Sequence, residues 1–171
     1  MQNAIQSSDV KQVRQLLDQN NAYTVIDVDG IRISLAAYAV KQYLKNKTTS
    51  TRAVVELFLE HGYDPYDIAV DGSETTGIQL IAQADDIDAF LLVDRHLGGF
   101  WLPCVYTCIA WECIRADALV VFSYILKTRH VDVQHLHDCT ASTHQIYRDL
   151  LTSHGARLPT LFEKLKSLFF G

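Results

Sequence analysis

Cysteine is missing from the first hundred residues of this chain. All four, Cys104, Cys108, Cys113 and Cys139, come later, and three of them fall within ten residues. A disulfide framework spreads its bridges along a small domain, so this crowding points to reduced thiols in an intracellular protein. Positive charge is also short. Fifteen Lys and Arg against 20 Asp and Glu give a net charge of −5, whereas sequence-independent phosphate binding needs a clustered basic excess. Long apolar runs are lacking: the longest near-apolar stretch, residues 118–126, falls far below the roughly 20 residues that span a bilayer. The polar opening, residues 1–11, does not read as a secretory signal. A cytoplasmic protein with neither nucleic-acid nor membrane partners is therefore expected. Nucleotide-binding fingerprints are missing as well, since no Gly-x-Gly-x-x-Gly follows a strand and no Gly-Lys-Ser or Gly-Lys-Thr occurs.

What is present is a helical pattern. The chain has 171 residues, 49% apolar and 20% charged, which suits one globular domain. Val10, Val13, Leu16 and Leu17 mark one apolar helix face, and Val54, Val55, Phe58 and Leu59 mark another. Ile87, Phe90, Leu91 and Leu92, then Val121, Phe122, Ile125 and Leu126, repeat it, and Ile146, Leu150 and Leu151 form a weaker fifth block. Turn signals follow the blocks, and stretches rich in small residues (34–45, 77–83 and 108–115) precede the middle three. Only residues 23–33 and 131–133 are enriched in β-branched side chains. Short helices cannot bury their apolar faces alone, so an internal repeat is expected.

Taking the last apolar residue of each block as an anchor gives Leu17, Leu59, Val93 and Leu126, with Thr152 in the equivalent place, at spacings of 42, 34, 33 and 26. The central spacings match an ankyrin period of about 33 residues. The text Val54-Val55-Glu56-Leu57-Phe58-Leu59-Glu60-His61-Gly62-Tyr63-Asp64-Pro65 resembles that family's second helix and exit turn. Thr76-Gly77-Ile78-Gln79-Leu80-Ile81-Ala82-Gln83-Ala84-Asp85-Asp86 resembles its Thr-Pro-Leu-His first helix, with Gly77 in place of the proline. Asp29-Gly30 and Asp71-Gly72 look like tips of its hairpin fingers. The resemblance, to a divergent member, implies an all-α solenoid of helix-turn-helix units. Its repeats fall at 1–28, 29–70, 71–103, 104–137 and 138–158, and residues 159–171, with Leu161, Leu165, Leu168 and Phe169 on one face, form a C-terminal capping helix. Only the second helix is visible in the first block, and the fifth lacks a convincing first helix.

Sites for chemistry are few. His135, His137 and Cys139 are zinc-type ligands, with Cys104, Cys108 or Cys113 as a candidate fourth, but a closed zinc site needs four ligands, their spacing does not match the familiar knuckles and no Cys-x-x-Cys occurs. The simpler reading is a polar hairpin tip, with Cys108 and Cys113 facing the core as buried thiols. Cys139 with His135, His137 or His144 is the one exposed-looking nucleophile pair, and no nucleophile loop flanks it. Asp85, Asp86 and Asp88 read as an inter-helix turn and a helix start, where acidic residues are favoured. No enzyme, metal or cofactor is expected.

The family resemblance implies a partner protein held on the concave face, made of hairpin tips and the outward side of first helices. Carried over by position, this face takes Arg32, Lys41, Thr75, Gln83, Thr107 and Arg115, with Tyr66, Asp67, Asp71 and Trp101 from the hairpins. Aromatic and Arg side chains are the usual interface anchors, which singles out Trp101, Tyr66 and Arg115. Arg32, Lys41 and Arg115 on one face of an acidic chain point to a partner with an acidic patch. The expected function is a monomeric, non-catalytic interaction module. The alternatives are an immunity- or antitoxin-like inhibitor of a toxin or enzyme, and a secreted bacterial effector that binds a host protein.

Overall fold

The computed structural model describes residues 1–19, 23–65, 75–96 and 102–157. Among them are ten helices and one two-stranded hairpin. The helices are α1 (Gln2–Gln6), α2 (Val10–Leu17), α3 (Leu35–Lys45), α4 (Thr49–Glu60), α5 (Gly77–Ala84), α6 (Ile87–His96), α7 (Pro103–Ala116), α8 (Leu119–Thr128), α9 (Val133–Cys139) and α10 (Gln145–Ser153). Consecutive helices pack in pairs. Each odd-numbered helix also touches the next odd-numbered one, and each even-numbered helix the next even-numbered one. The chain is thus mostly helical, in two layers, one of odd and one of even helices. Ala36, Ala37, Ala82 and Ala110 are buried in the odd layer, where small side chains let neighbouring helices approach. Phe58, Phe90 and Phe122 are fully buried in the even layer.

Local chemistry sets the helix ends. Ser34 Oγ accepts from the Ala37 amide at 3.0 Å and so starts α3. Thr48 with Thr51, and Thr76 with Gln79, form capping boxes for α4 and α5, and Pro103 opens α7. Among the described residues one C-terminal device recurs five times. The amides of Asp9, Tyr63, Asp86, Ala118 and Ala156 reach back to the carbonyls of Ala4, Phe58, Ile81, Cys113 and Leu151. In each case the preceding residue is left-handed: Ser8, Gly62, Asp85, Asp117 and Gly155 have φ of 57°, 83°, 45°, 59° and 104°. These are Schellman turns, with Asp in two places where its short polar side chain tolerates that conformation.

The turns correct the anchor register. Leu17, Asp94 and Leu126 each stand nine residues beyond their left-handed residue, Ser8, Asp85 and Asp117. The third anchor is therefore Asp94, not Val93, and a carboxylate occupies a position that is leucine elsewhere.

Strands β1 (Val25–Val28) and β2 (Ile31–Ser34) form an antiparallel hairpin from Val25↔Ser34 to Val28↔Ile31. Its tip is Asp29-Gly30, with φ of 58° and 77°, the mirror-image turn that matches strand twist. Thr75, just before α5, pairs with Ile33, its amide donating to the Arg32 carbonyl at 3.0 Å. The second finger tip, Asp71-Gly72, and the expected capping helix, 159–171, lie outside the described residues.

Three expectations change. The first and fifth helix pairs both have first helices, α1 and α9, of five and seven residues. The boundary drawn between 137 and 138 falls inside α9, and the His135–Cys139 segment is that helix rather than a hairpin tip. Of the two cysteines expected in the core, Cys113 is buried and Cys108 is exposed.

Gly77 has a local explanation. A Cβ there would lie 2.7 Å from the Tyr63 hydroxyl and 3.1 Å from Pro65 Cβ, so the buried Tyr63 ring occupies the space a larger residue would need.

Candidate functional site

The odd helices present one face to solvent. Along α7, Cys104, Cys108, Trp111 and Arg115 follow at intervals of four, three and four residues, one stripe of a helix. Cys104, Cys108 and Arg115 are exposed and Trp111 is half-buried. A cleft lies on each side of this ridge. Between α5 and α7, Gln79, Gln83, Glu112, Arg115 and Ala116 line about 270 Å³, a polar cleft. Between α7 and α9, Thr107, Cys108, Trp111, His135, Leu136 and Cys139 line another of about 270 Å³, and its walls are mostly apolar.

The odd layer is also electrostatically distinct. The odd helices carry Lys41, Lys45 and Arg115 against Glu112 and Asp138, three cations to two carboxylates, in a chain of net charge −5. Arg115 reaches Glu112 at 3.4 Å, an exposed and loose pair that contributes little.

The expected site residues divide as follows. Gln83 and Arg115 come together in the polar cleft. Arg32, on β2, is exposed, and Lys41, half-buried on α3, lies 3.6 Å from Asp29 at the hairpin tip. Thr75 is half-buried and engaged with β2. Thr107 does not stand out from the face. It is buried, its hydroxyl donating to the Pro103 carbonyl at 2.9 Å and accepting from the Asp132 amide at 2.9 Å. Tyr66, Asp67, Asp71 and Trp101 lie outside the described residues. Trp111, Cys108, Cys139 and His135 were not expected on this face. The stripe on α7 and the i, i+4 spacing of His135 and Cys139 are the signals that carry them.

The motifs weighed for chemistry are dispersed. His135 and Cys139 point outward from α9, with Nε2 and Sγ 3.9 Å apart, at the long edge of contact for sulfur. His137 points inward, fully buried, without a hydrogen bond to either ring nitrogen. Among the described residues no group of three or more His, Cys, Asp or Glu is placed to hold a metal ion. Asp85 caps α8, accepting from the Val120 and Val121 amides at 3.0 Å. Asp86 accepts from the Ala89 amide and pairs with Lys47 at 2.6 Å, and Asp88 meets the same lysine at 3.4 Å.

Two further features belong to the even layer. A polar cavity of about 560 Å³ opens between α4 and α6. Its Arg52 and Lys47 are matched by Glu56 and Asp88, and Arg95 and His96 add to its polar lining. Behind it, Asp94 is 1% exposed. It pairs with the Arg129 guanidinium and accepts from the Tyr106 hydroxyl at 2.7 Å. Arg129 also lies over the Tyr106 and Tyr124 rings, at 5.5 and 5.9 Å. Burial, with Asp94 beside it, pushes the Tyr106 phenol up to about 12. This network fills the anchor position where other pairs have leucine.

Among the described residues no helix is long and apolar enough to cross a membrane. No family model, curated protein or solved structure matches the sequence.

Proposed function

We propose that this chain is a non-catalytic protein-binding module of divergent ankyrin-type repeats that holds its partner on the odd-helix face. The observation that carries this reading is the α7 ridge with a cleft on either side, one mostly apolar and one polar with the exposed Arg115. The helix-pair stacking, the recurring Schellman turns and the Asp-Gly finger support the repeat assignment. The four free thiols, three of them exposed, fit a reducing compartment such as the cytoplasm.

The test is affinity purification of the full chain from its native cell beside a variant with Arg32, Lys41 and Arg115 changed to Glu. One protein enriched by the parent and lost by the folded variant is the expected result, with affinity that falls as salt rises because exposed charges are screened. Retention of the same partner by that variant removes this face from the account. The partner's identity then separates an adaptor from an inhibitor or an effector.

A further inference from the structure

We propose that the apolar cleft between α7 and α9 takes one large apolar side chain of an extended partner segment, and that an acidic residue of the same segment lies across the ridge on Arg115. This rests on the odd-helix face being the binding face. The cleft joins Trp111, Leu136, Cys108 and Cys139, with Thr107 at its floor and His135 at its rim. At about 270 Å³ it falls just short of the roughly 300–1,000 Å³ of pockets that enclose a small molecule, a size suited to a single side chain. Half-buried Trp anchors of this kind dominate interface energetics.

Charge complementarity fixes the other half of the motif. The second cleft, across the α7 ridge, is polar, and its exposed cation is Arg115. Arg115 stands one helical turn beyond Trp111 on the same stripe. The carboxylate beside it, Glu112, is held only loosely, so an incoming carboxylate gains a bidentate guanidinium partner. Neighbouring helices pack about 8–10 Å apart, so the two clefts are separated by roughly the width of α7. An extended chain advances about 3.3 Å per residue. The acidic residue therefore follows the apolar one by about three or four positions.

The test uses a random-peptide phage library selected on the immobilised full chain, with synthetic copies of the enriched peptides as probes. Enriched peptides are expected to carry Leu, Met, Phe or Trp, with Asp or Glu about three or four residues away. Their affinity should fall at least about ten-fold in Cys108→Arg, which puts a charge into the apolar cleft, and in Arg115→Glu. Both positions are exposed, so the variants should fold, and circular dichroism checks this. Bound peptide should also slow alkylation of Cys108 and Cys139, which line the cleft, and leave Cys104 unchanged. Peptides that bind the Cys108→Arg chain as well as the parent overturn the cleft assignment. If those same peptides are lost on Arg115→Glu or Gln83→Glu, the face itself stands. Binding that ignores all three variants removes both the cleft and the face. A library that yields no shared motif overturns the extended-segment occupant and leaves the face to the co-purification test.

Discussion

Replacing Arg129 by methionine is the sharpest perturbation of this fold. Asp94 is 1% exposed and its charge is balanced by Arg129, whose side chain remains 26% exposed. Removing the arginine leaves a buried carboxylate with only the Tyr106 hydroxyl. Stranding one member of a buried pair costs about 3–5 kcal/mol. At about 2–4 °C per kcal/mol for a chain of this size, the melting temperature should fall by roughly 6–20 °C. Asp94→Leu restores the residue type found at the equivalent Leu17 and Leu126, and its stranded arginine can turn to water, so it should cost only about 1–2 kcal/mol. The double variant Asp94→Leu with Arg129→Met should come back to within about 1–3 kcal/mol of the parent, because replacing both members of a buried pair is often neutral while the Tyr106 hydroxyl loses Asp94 as its acceptor. Urea unfolding of the four proteins closes a double-mutant cycle. An Arg129→Met protein within about 1 kcal/mol of the parent, or a double variant as unstable as the two singles added together, refutes the reasoning.

Three other outcomes follow from the same geometry. Gly77→Ala sets a Cβ 2.7 Å from the Tyr63 hydroxyl and should destabilise by about 1–3 kcal/mol. Adding Tyr63→Phe, which removes that oxygen, should recover part of the loss in the same unfolding assay. Asp85→Ala deletes the carboxylate that caps α8 and should cost about 0.5–2 kcal/mol, and Asp85→Asn should lose less. Burial pushes the Cys113 thiol from 9.0 up to about 12. The folded state therefore holds its proton where the unfolded chain releases it, so this contribution is intact below pH 9 and is lost between pH 9 and about 12. Unfolding midpoints should drop across that window, and less so in Cys113→Ala. Mass spectrometry after alkylation at pH 8 should find Cys104, Cys108 and Cys139 modified and Cys113 spared.

Much of the helical layer was legible because α2, α4, α6 and α8 are long enough to show their apolar periodicity. Helices α1 and α9 were missed because five and seven residues give at most two turns, too short for a face to repeat. The anchor slipped by one residue at Asp94 because a carboxylate reads as surface, and the partner that lets it be buried, Arg129, is 35 residues away in the chain. Cys108 was wrongly placed in the core together with Cys113. Five residues turn an α-helix through about 140° beyond a full circle, so both could not face inward. Repeat position alone singled out Gln83 and Arg115, which the structure brings to one cleft. Trp111 was overlooked because Ile109, Ala110, Cys113 and Ile114 around it are core residues, and a tryptophan among them reads as one more. Whether the α5/α7 and α7/α9 clefts exist depends on how three helices lie side by side, which no local pattern encodes.

The most direct test of the account is hydrogen–deuterium exchange and thiol alkylation on the complex formed with the co-purified native partner. The account predicts slowed alkylation of Cys108 and Cys139, with added amide protection confined to the β1–β2 hairpin and helices α3, α5, α7 and α9. Protection confined to α4, α6 and α8, with Cys108 and Cys139 as reactive as in the free chain, would contradict it and move the binding surface to the even-helix layer.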